Sequence, residues 1–300
     1  MCNEIRKRHP KRLLIFVTGT FYRDIVLLSN AADLVFGSRL WNWDFVMPST
    51  FNVLGLVDTI YSPTTTYERL TASGPASHLV DDLAESCGFT VAARQPRLYP
   101  SSNLIKKTRM KYGLMENAVR THLIIGINGG PGWPVRMWDV TKWQRLINKI
   151  HSEYDAVIIQ FGTNKGDGSS EYDKLTGVQS VASRLRSEEI VALIAICNLV
   201  ISIDSGPLHV AGAVGTPVVG LFGAVNPDYR LPIDSPAIGL VGDVPCLFCH
   251  HQTPPGHWIT GCPNNIKCMK ALDDDTVFEA VKSMLAQGKR ELESFATELK

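Results

Sequence analysis

The chain has 300 residues, of which 45% are hydrophobic and 20% charged, a composition typical of globular proteins that excludes disordered and fibrous classes. Thirty basic residues against 29 acidic ones leave a net charge of +1, which argues against a general nucleic-acid or membrane-surface binder. The basic run RKRHPKR at residues 6–12 is interpreted as a solvated helix end, with a patch for an anionic partner as the alternative. The length suggests two domains.

Neither a membrane span nor a secretory leader is predicted. The longest apolar stretch, residues 190–203, is interrupted by Asn198 and is shorter than the roughly 20 residues that cross a bilayer. The N-terminal MCNEIRKRHP lacks an apolar signal core. We therefore expect a cytoplasmic protein, with peripheral association with the inner membrane as an open alternative.

The first hundred residues alternate between strand-like and helix-like patterns, which indicates an α/β domain. The predicted strands lie at residues 13–19, 32–37 and 43–48. Proline and serine then become frequent in RQPRLYPSSN, residues 94–103, which is typical of a domain boundary. The predicted domains are residues 1–105 and residues 106–300.

From Leu123 onward, apolar strands and amphipathic helices follow each other in a regular order. Strands separated by helices of about ten residues indicate βαβ units and a parallel sheet with helices on both faces. The second domain is therefore predicted to be Rossmann-like. Its predicted strands are LIIGI, AVIIQFG, LVISI and PVVGLFG, and its helices include VTKWQRLINKIHSEY, SEEIVALIAIC and the C-terminal DDDTVFEAVKSMLAQGKRELESFATEL.

The segment ISIDSGPLHVAGAV, residues 201–214, places polar residues directly after a buried strand. Asp204 or Ser205 can cap the next helix, and Gly206 allows a ligand to approach the backbone. The amides of a helix N-terminus bind anions, and His209 can add a donor. The sequence thus predicts a phosphate site at the carboxyl end of a parallel strand; the alternative is an ordinary helix cap beside a structural histidine.

A second loop, GINGGPGWPVRMW at residues 126–138, follows the first strand of the same domain. It carries Gly129, Gly130 and Gly132, followed by Arg136, which can bind a phosphate. Neither the dinucleotide pattern GxGxxG nor the P-loop pattern GxxxxGK[ST] is present. These absences weigh against a nicotinamide oxidoreductase and against ATP hydrolysis.

Two segments resemble the family-9 glycosyltransferases, whose best-known members are the bacterial lipopolysaccharide heptosyltransferases. INGGPGWPVRMWDVTKWQRLI is similar to the family's glycine loop and helix, and LVISIDSGPLHVAGAVGTPVVGLFGAVNP to its D-[ST]-G-x-x-H signature. The one small departure is GAV at residues 212–214, where alanines are commoner. The resemblance covers residues 120–300 well and residues 4–100 loosely.

The resemblance implies a GT-B fold, with two Rossmann-like domains across a cleft and the donor nucleotide-sugar held by the C-terminal domain. It implies that Asp204, Ser205, Gly206 and His209 contact the diphosphate and sugar, and that Arg136 replaces a phosphate-binding lysine. An acidic residue at the ribose corresponds to Glu188 or Glu189. No metal is expected in catalysis, because the helix and basic residues stabilise the leaving group.

The family's catalytic base is an aspartate after the first N-terminal strand, and it deprotonates the acceptor hydroxyl. The preferred alignment makes LLIFVTG the second strand of the family, so that the first strand and the base lie upstream of Met1. The rival alignment makes Asp24 the base, and in the simplest alternative Asp24 lies on a solvated helix face. The chain is accordingly a fragment, a member with its base elsewhere, or a donor-binding module.

Four of the seven cysteines, Cys246, Cys249, Cys262 and Cys268, fall within 23 residues. The C-x2-C turn followed by two later cysteines is typical of a four-thiolate metal site holding zinc or iron. Disulfide bonds are the alternative, disfavoured in a reducing compartment. His250, His251 and His257 are reserve ligands. A similar cluster holds iron in the related autotransporter heptosyltransferases, and we expect a structural role.

The leading hypothesis is an inverting glycosyltransferase of lipopolysaccharide-type biosynthesis. It would move a sugar, with heptose as one candidate, from a nucleotide-diphosphate donor to a saccharide or protein acceptor. The alternative is a non-catalytic protein that binds nucleotide sugars or is an interaction module stabilised by metal.

Overall fold

The computed structural model describes residues 12–15, 34–37, 60–61, 78, 80–81, 94–114, 123–130, 134–162, 174–181, 186–249 and 261–298. The chain divides into two compact units, residues 1–92 and residues 93–300. Asp24, Gly132, the three reserve histidines and the predicted strand at 43–48 lie outside the described residues.

The first unit contains a three-stranded parallel sheet in the order β1-β2-β3. Its strands are β1 (Arg12–Ile15), β2 (Leu34–Gly37) and β3 (Ile60–Tyr61). The first two overlap the strands predicted at 13–19 and 32–37, whereas β3 was not predicted. Three parallel strands need crossover connections, which is the arrangement expected of an α/β domain.

The second unit is built on a six-stranded sheet in which every neighbouring pair is parallel. Its strand order, β6-β5-β4-β7-β8-β9, is the doubly wound order of Rossmann folds, and the chain reverses direction across the sheet between β4 and β7. The strands are β4 (Leu123–Asn128), β5 (Ala156–Gln160), β6 (Gln179–Ser180), β7 (Leu199–Ile203), β8 (Val218–Phe222) and β9 (Ala237–Val241).

Seven helices of the second unit are described: α1 (Ser102–Lys111), α2 (Val140–Glu153), α3 (Ser187–Ile196), α4 (Gly206–Val214), α5 (Pro227–Arg230), α6 (Lys267–Ala271) and α7 (Asp274–Glu298). The boundary predicted at 105/106 falls inside α1, and the observed division lies at 92/93. Ser101 caps α1 by accepting a hydrogen bond from the Leu104 amide, so proline and serine here mark a helix start.

The core of the second unit lies between the sheet and its helices. All residues of β7 and β8 are buried, as expected of parallel strands covered on both faces. Helix α2 packs its apolar side against α7, and Trp138 and Trp143 meet edge to face with ring centroids 5.1 Å apart. None of the helices in the described part of the chain is long and apolar enough to cross a membrane.

Candidate functional site

The carboxyl ends of β4 and β7 meet where the strand order reverses, which is where open α/β sheets bind ligands. Asn128 is the last residue of β4, and its amide nitrogen donates to the Ser202 hydroxyl at 3.1 Å and to the Ser205 hydroxyl at 2.5 Å. These bonds connect the end of β4 to the start of helix α4. The two predicted loops therefore converge on one point of the sheet.

Helix α4 begins at this edge, with Ser205 rather than Asp204 as its N-cap and Pro207 in the first turn. The helix ends at Gly215, whose φ of 83° is left-handed, as predicted from the glycine. The Ser205 side chain does not cap the helix, since it is held by Asn128. Gly206 is exposed, with open space where a side chain would stand, so a ligand can reach the first turn of α4.

Asp204 lies beneath this helix end, and only 2% of its side chain is exposed. One carboxylate oxygen, Oδ2, is 3.6 Å from Arg136 Nε and 3.4 Å from Arg230 Nη1. The other, Oδ1, is 4.0 Å from His209 Nε2. Asp204 is therefore the centre of a group of basic side chains that come from a 3-10 turn, from α4 and from α5. We call Asp204, Arg136, His209 and Arg230 the Asp204 cluster.

Arg136 ends the 3-10 turn Pro134–Arg136, and its Nη1 donates to the backbone oxygen of Asp204 at 2.9 Å. Burial lowers the pKa of Arg136, the charge of Asp204 opposes that shift, and the charge of Arg230 adds to it. The loop before this turn contains the buried Gly129 and Gly130, and Gly130 has a φ of 132°, which favours glycine. Gly130 therefore occupies a backbone position after β4 at which glycine is favoured.

The two acidic residues at the start of α3 have different environments. Glu189 is buried, its carboxylate accepting from Lys111 Nζ at 2.7 Å and from the Arg186 amide at 3.2 Å. These bonds depress the pKa of Glu189, with the Lys111 bond as the largest cause. The side chain of Glu188, in contrast, is 52% exposed. Glu189 therefore joins α1 to α3, and Glu188 is the one that a ligand can reach.

Two residues of this site were not found from the sequence. Asn128 reads as the end of an apolar strand, and Arg230 follows β8 in the short helix α5. The available signal was position, because both lie at the carboxyl ends of parallel strands. Arg230 is separated from Asp204 by 26 residues, and only the strand order brings it to the site.

Cys246, Cys249 and Cys262 lie in turns and loops that follow the last strand, and Cys268 lies in helix α6. Cys246 and Cys249 flank a tight turn in which Phe248 has a φ of 61°, and Asn265 and Ile266, between Cys262 and Cys268, also have positive φ. Such strained backbone persists where surrounding structure requires it. The Ile266 amide donates to Cys262 Sγ at 3.3 Å. Turns and amide bonds of this kind suit a thiolate metal ligand.

The four thiols influence one another. Burial, and then the charges of Cys268, Cys262 and Cys246, raise the pKa of Cys249 to about 11; burial chiefly raises that of Cys268. All four are free thiols. Among the described residues, however, no three His, Cys, Asp or Glu side chains stand close enough to bind a metal as they are. The donor set suits zinc or iron, and the thiols would draw together around it.

The cysteine loops pack against the end of β8. The Phe248 amide donates to the Gly223 carbonyl at 3.0 Å, and a Cβ on Gly223 would stand 2.7 Å from Cys268 Sγ. Gly223 is three residues before Asn226, which caps α5. The cysteine segments therefore contact the residue that follows β8, in the connection that leads to α5 and Arg230.

The family model of glycosyltransferase family 9 (heptosyltransferase) matches residues 80–258, which is more than half of the chain. The chain belongs to glycosyltransferase family 9. The matched range contains the glycine loop, the Asp204 cluster and two of the four cysteines, so the predicted membership is confirmed on the residues that suggested it.

Curated relatives of family 9 match over shorter ranges. Lipopolysaccharide heptosyltransferase 3 of Escherichia coli is 32% identical over 96 residues, which are 30% of this chain and 28% of that protein. Lipooligosaccharide heptosyltransferase 2 of Campylobacter jejuni is 25% identical over 170 residues, 54% of this chain and 51% of that protein. The chain thus matches about half, or less, of the length of these relatives.

Solved structures resemble the whole chain. E. coli ADP-heptose lps heptosyltransferase II matches with a TM-score of 0.64 at 18% identity. The match covers 96% of this chain and 80% of that protein's chain. The iron-containing heptosyltransferase TibC, solved with ADP-D-beta-D-heptose, has a TM-score of 0.58 at 14% identity, covering 93% and 77%. At this identity the likeness concerns the fold, and it confirms the predicted α/β, GT-B class.

Proposed function

We propose that this chain binds a nucleotide-diphosphate sugar at the Asp204 cluster and transfers the sugar to a saccharide or protein acceptor. One observation carries the proposal: Arg136 bonds to Asp204 beside the open start of α4. This contact lies where the strand order of the sheet reverses, in a chain of family 9. The names of the structural neighbours favour ADP-heptose as the donor. The cytoplasmic location stays a prediction.

In such a transfer the bond from the sugar carbon to the donor phosphate breaks, and its electron pair goes to the phosphate oxygen. The acceptor oxygen forms the new bond and loses its proton to a base. Arg136 and the first turn of α4 would stabilise the charge that grows on the departing diphosphate. The candidate base Asp24 lies outside the described residues. The described residues therefore support the donor-binding part of the proposal, and the base that takes the proton stays a prediction.

For the four cysteines we propose a structural zinc or iron ion, with TibC as the iron-containing relative in fold. A metal held by four thiolates keeps no open position and supplies folding free energy rather than chemistry. The residues that would hold it are Cys246, Cys249, Cys262 and Cys268. Their loops pack against Gly223, so the ion would stabilise one wall of the donor site.

A thermal-shift screen with ADP, GDP, UDP and CDP, and then with the corresponding sugars, tests donor binding. A ligand present at 100 times its Kd stabilises the native state by about 2.7 kcal/mol, so we expect ADP and ADP-heptose to raise the melting temperature by several degrees. If no nucleoside diphosphate changes the melting temperature, the proposed function is wrong.

Incubation with ADP-heptose and a lipopolysaccharide-core acceptor or an acceptor protein then separates the enzyme from a binding module. Release of ADP only in the presence of acceptor, with labelled acceptor in the mass spectrum, supports transfer. Tight ADP-heptose binding without transfer to any acceptor supports the non-catalytic alternative.

The two glutamates at the start of α3 offer a matched pair of variants. Glu188→Gln is expected to weaken ADP binding about fivefold, the size of one lost hydrogen bond from the ribose, with an unchanged melting temperature and unchanged pyrophosphate binding. Glu189→Gln is expected to lower the melting temperature slightly, since it removes the charge that pairs with Lys111 at 2.7 Å, while the glutamine oxygen can still accept from the Arg186 amide. Calorimetry with ADP and with pyrophosphate measures both; equal ADP affinities for wild type and Glu188→Gln would contradict a ribose contact.

A further inference from the structure

Arg230 reaches the site from helix α5, and the hydrogen bonding of its side chain is incomplete. It is the last residue of α5, with 19% of its side chain exposed. Its Nη1 lies 3.4 Å from Asp204 Oδ2, whereas its Nε is buried and has no hydrogen-bond partner within the described residues. A buried donor without an acceptor costs about 1–3 kcal/mol. An acceptor oxygen is therefore expected beside Arg230 Nε when the site is in use.

The Asp204 carboxylate does not satisfy this need. Its Oδ2 faces both arginines, and its Oδ1 is buried without a hydrogen bond in the part of the chain that the structure describes. A carboxylate also repels a diphosphate, so direct contact between the two is unfavourable. Asp204 is instead well placed to hold the guanidinium groups of Arg136 and Arg230 in one orientation.

Two guanidinium groups against one carboxylate leave one positive charge in excess. Both arginines are largely buried, at 21% and 19% side-chain exposure, so water screens this charge weakly. Guanidinium groups bind phosphate oxygens through two parallel N–H bonds. An anionic group with several oxygens between the two arginines matches both the sign of this charge and the unpaired donor.

We propose that Arg230 is a donor-binding residue whose guanidinium binds the diphosphate of the nucleotide sugar together with Arg136, and that Asp204 is the positioning residue that orients both arginines. This inference rests on the proposed function and assigns to the site a residue that comes from the loop after β8. The leaving diphosphate is then held from two loops, one after β4 and one after β8, while the first turn of α4 lies after β7.

Calorimetry with ADP and AMP on Arg230→Gln and Arg230→Lys tests the assignment. Arg230→Gln is expected to weaken ADP binding by about 10- to 100-fold, while AMP binding changes less than threefold. Arg230→Lys keeps the charge but lacks the planar fork, so about a tenfold loss for ADP is expected. The control is Arg145→Gln, which removes the same charge from α2, where Arg145 pairs with Asp274, and leaves ADP affinity unchanged.

The outcomes separate the two levels of the proposal. If wild type binds ADP and both Arg230 variants bind it equally well, Arg230 does not bind the donor and the inference is overturned. A proportional loss for ADP and AMP would show a merely structural role and would overturn it too. If wild type binds no nucleoside diphosphate, the proposed function fails instead. Should Arg230→Gln not fold, Arg230→Lys decides by the same comparison.

Discussion

Asp204→Ala is expected to lower the free energy of unfolding by about 3 kcal/mol, because it leaves the guanidinium groups of Arg136 and Arg230 without their buried counter-charge. The carboxylate is 2% exposed and within 3.6 Å of both groups. ADP affinity is expected to fall at least tenfold, since arginines that are no longer oriented bind phosphate poorly. Chemical denaturation and calorimetry measure the two effects.

A triple variant distinguishes lost orientation from general damage. Asp204→Ala combined with Arg136→Met and Arg230→Met replaces the whole charged group with apolar side chains, which restores stability in other buried ion networks. We expect it to recover most of the lost stability but to bind no ADP. The control Asp228→Ala removes the same charge from an exposed position on α5. ADP binding by Asp204→Ala that is tighter than wild type would show that Asp204 acts only through its charge.

Removal of the proposed metal is expected to have the second large effect. Cys249→Ser combined with Cys268→Ser should reduce the metal content from about one ion per chain to none. A metal present at 1,000 times its Kd contributes about 4 kcal/mol, so the melting temperature should fall strongly. ADP affinity should fall as well, because these loops pack against Gly223, next to the segment that carries Arg230.

The matched control is Cys197→Ser. Cys197 is buried, its thiol donates to the Leu193 carbonyl at 3.2 Å, and burial raises its pKa to about 12. A serine can keep that hydrogen bond, so full metal content is expected. Plasma mass spectrometry of protein from zinc- and iron-supplied cells identifies the ion. The metal site would be contradicted if the wild-type protein contained no metal and mass spectrometry showed disulfide bonds among the four cysteines.

Local patterns predicted most elements of the second unit. The strand Leu199–Ile203 was predicted with the bounds that it has, and α2, α3 and β4 differ from prediction by about one residue at an end. These segments have long apolar runs and strong caps, signals contained within the segment itself. The short strands β3 and β6, of two residues each, carry no such signal.

The predicted boundary at 105/106 differs from the observed division at 92/93, because the local rule that proline and serine mark a linker competed with a local helix cap. Proline and serine in RQPRLYPSSN are typical of a linker, yet Ser101 caps a helix. The residues just before Ser101 form hydrogen bonds with distant parts of the second unit. Leu98 donates its amide to the Ala213 carbonyl, and Gln95 accepts from the Ile233 amide. These contacts span more than 100 residues, so no window of the sequence contains them.

The sequence by itself determined the family, the glycine loop, the start of α4 and the cysteine spacing, because each is written within a few consecutive residues. Only the tertiary structure decided that β4 lies beside β7, that Arg136 and Arg230 meet at Asp204, and that Glu189 is buried while Glu188 is exposed. Strand order and side-chain burial depend on packing between distant segments, and the free energy of that packing is a property of the assembled sheet.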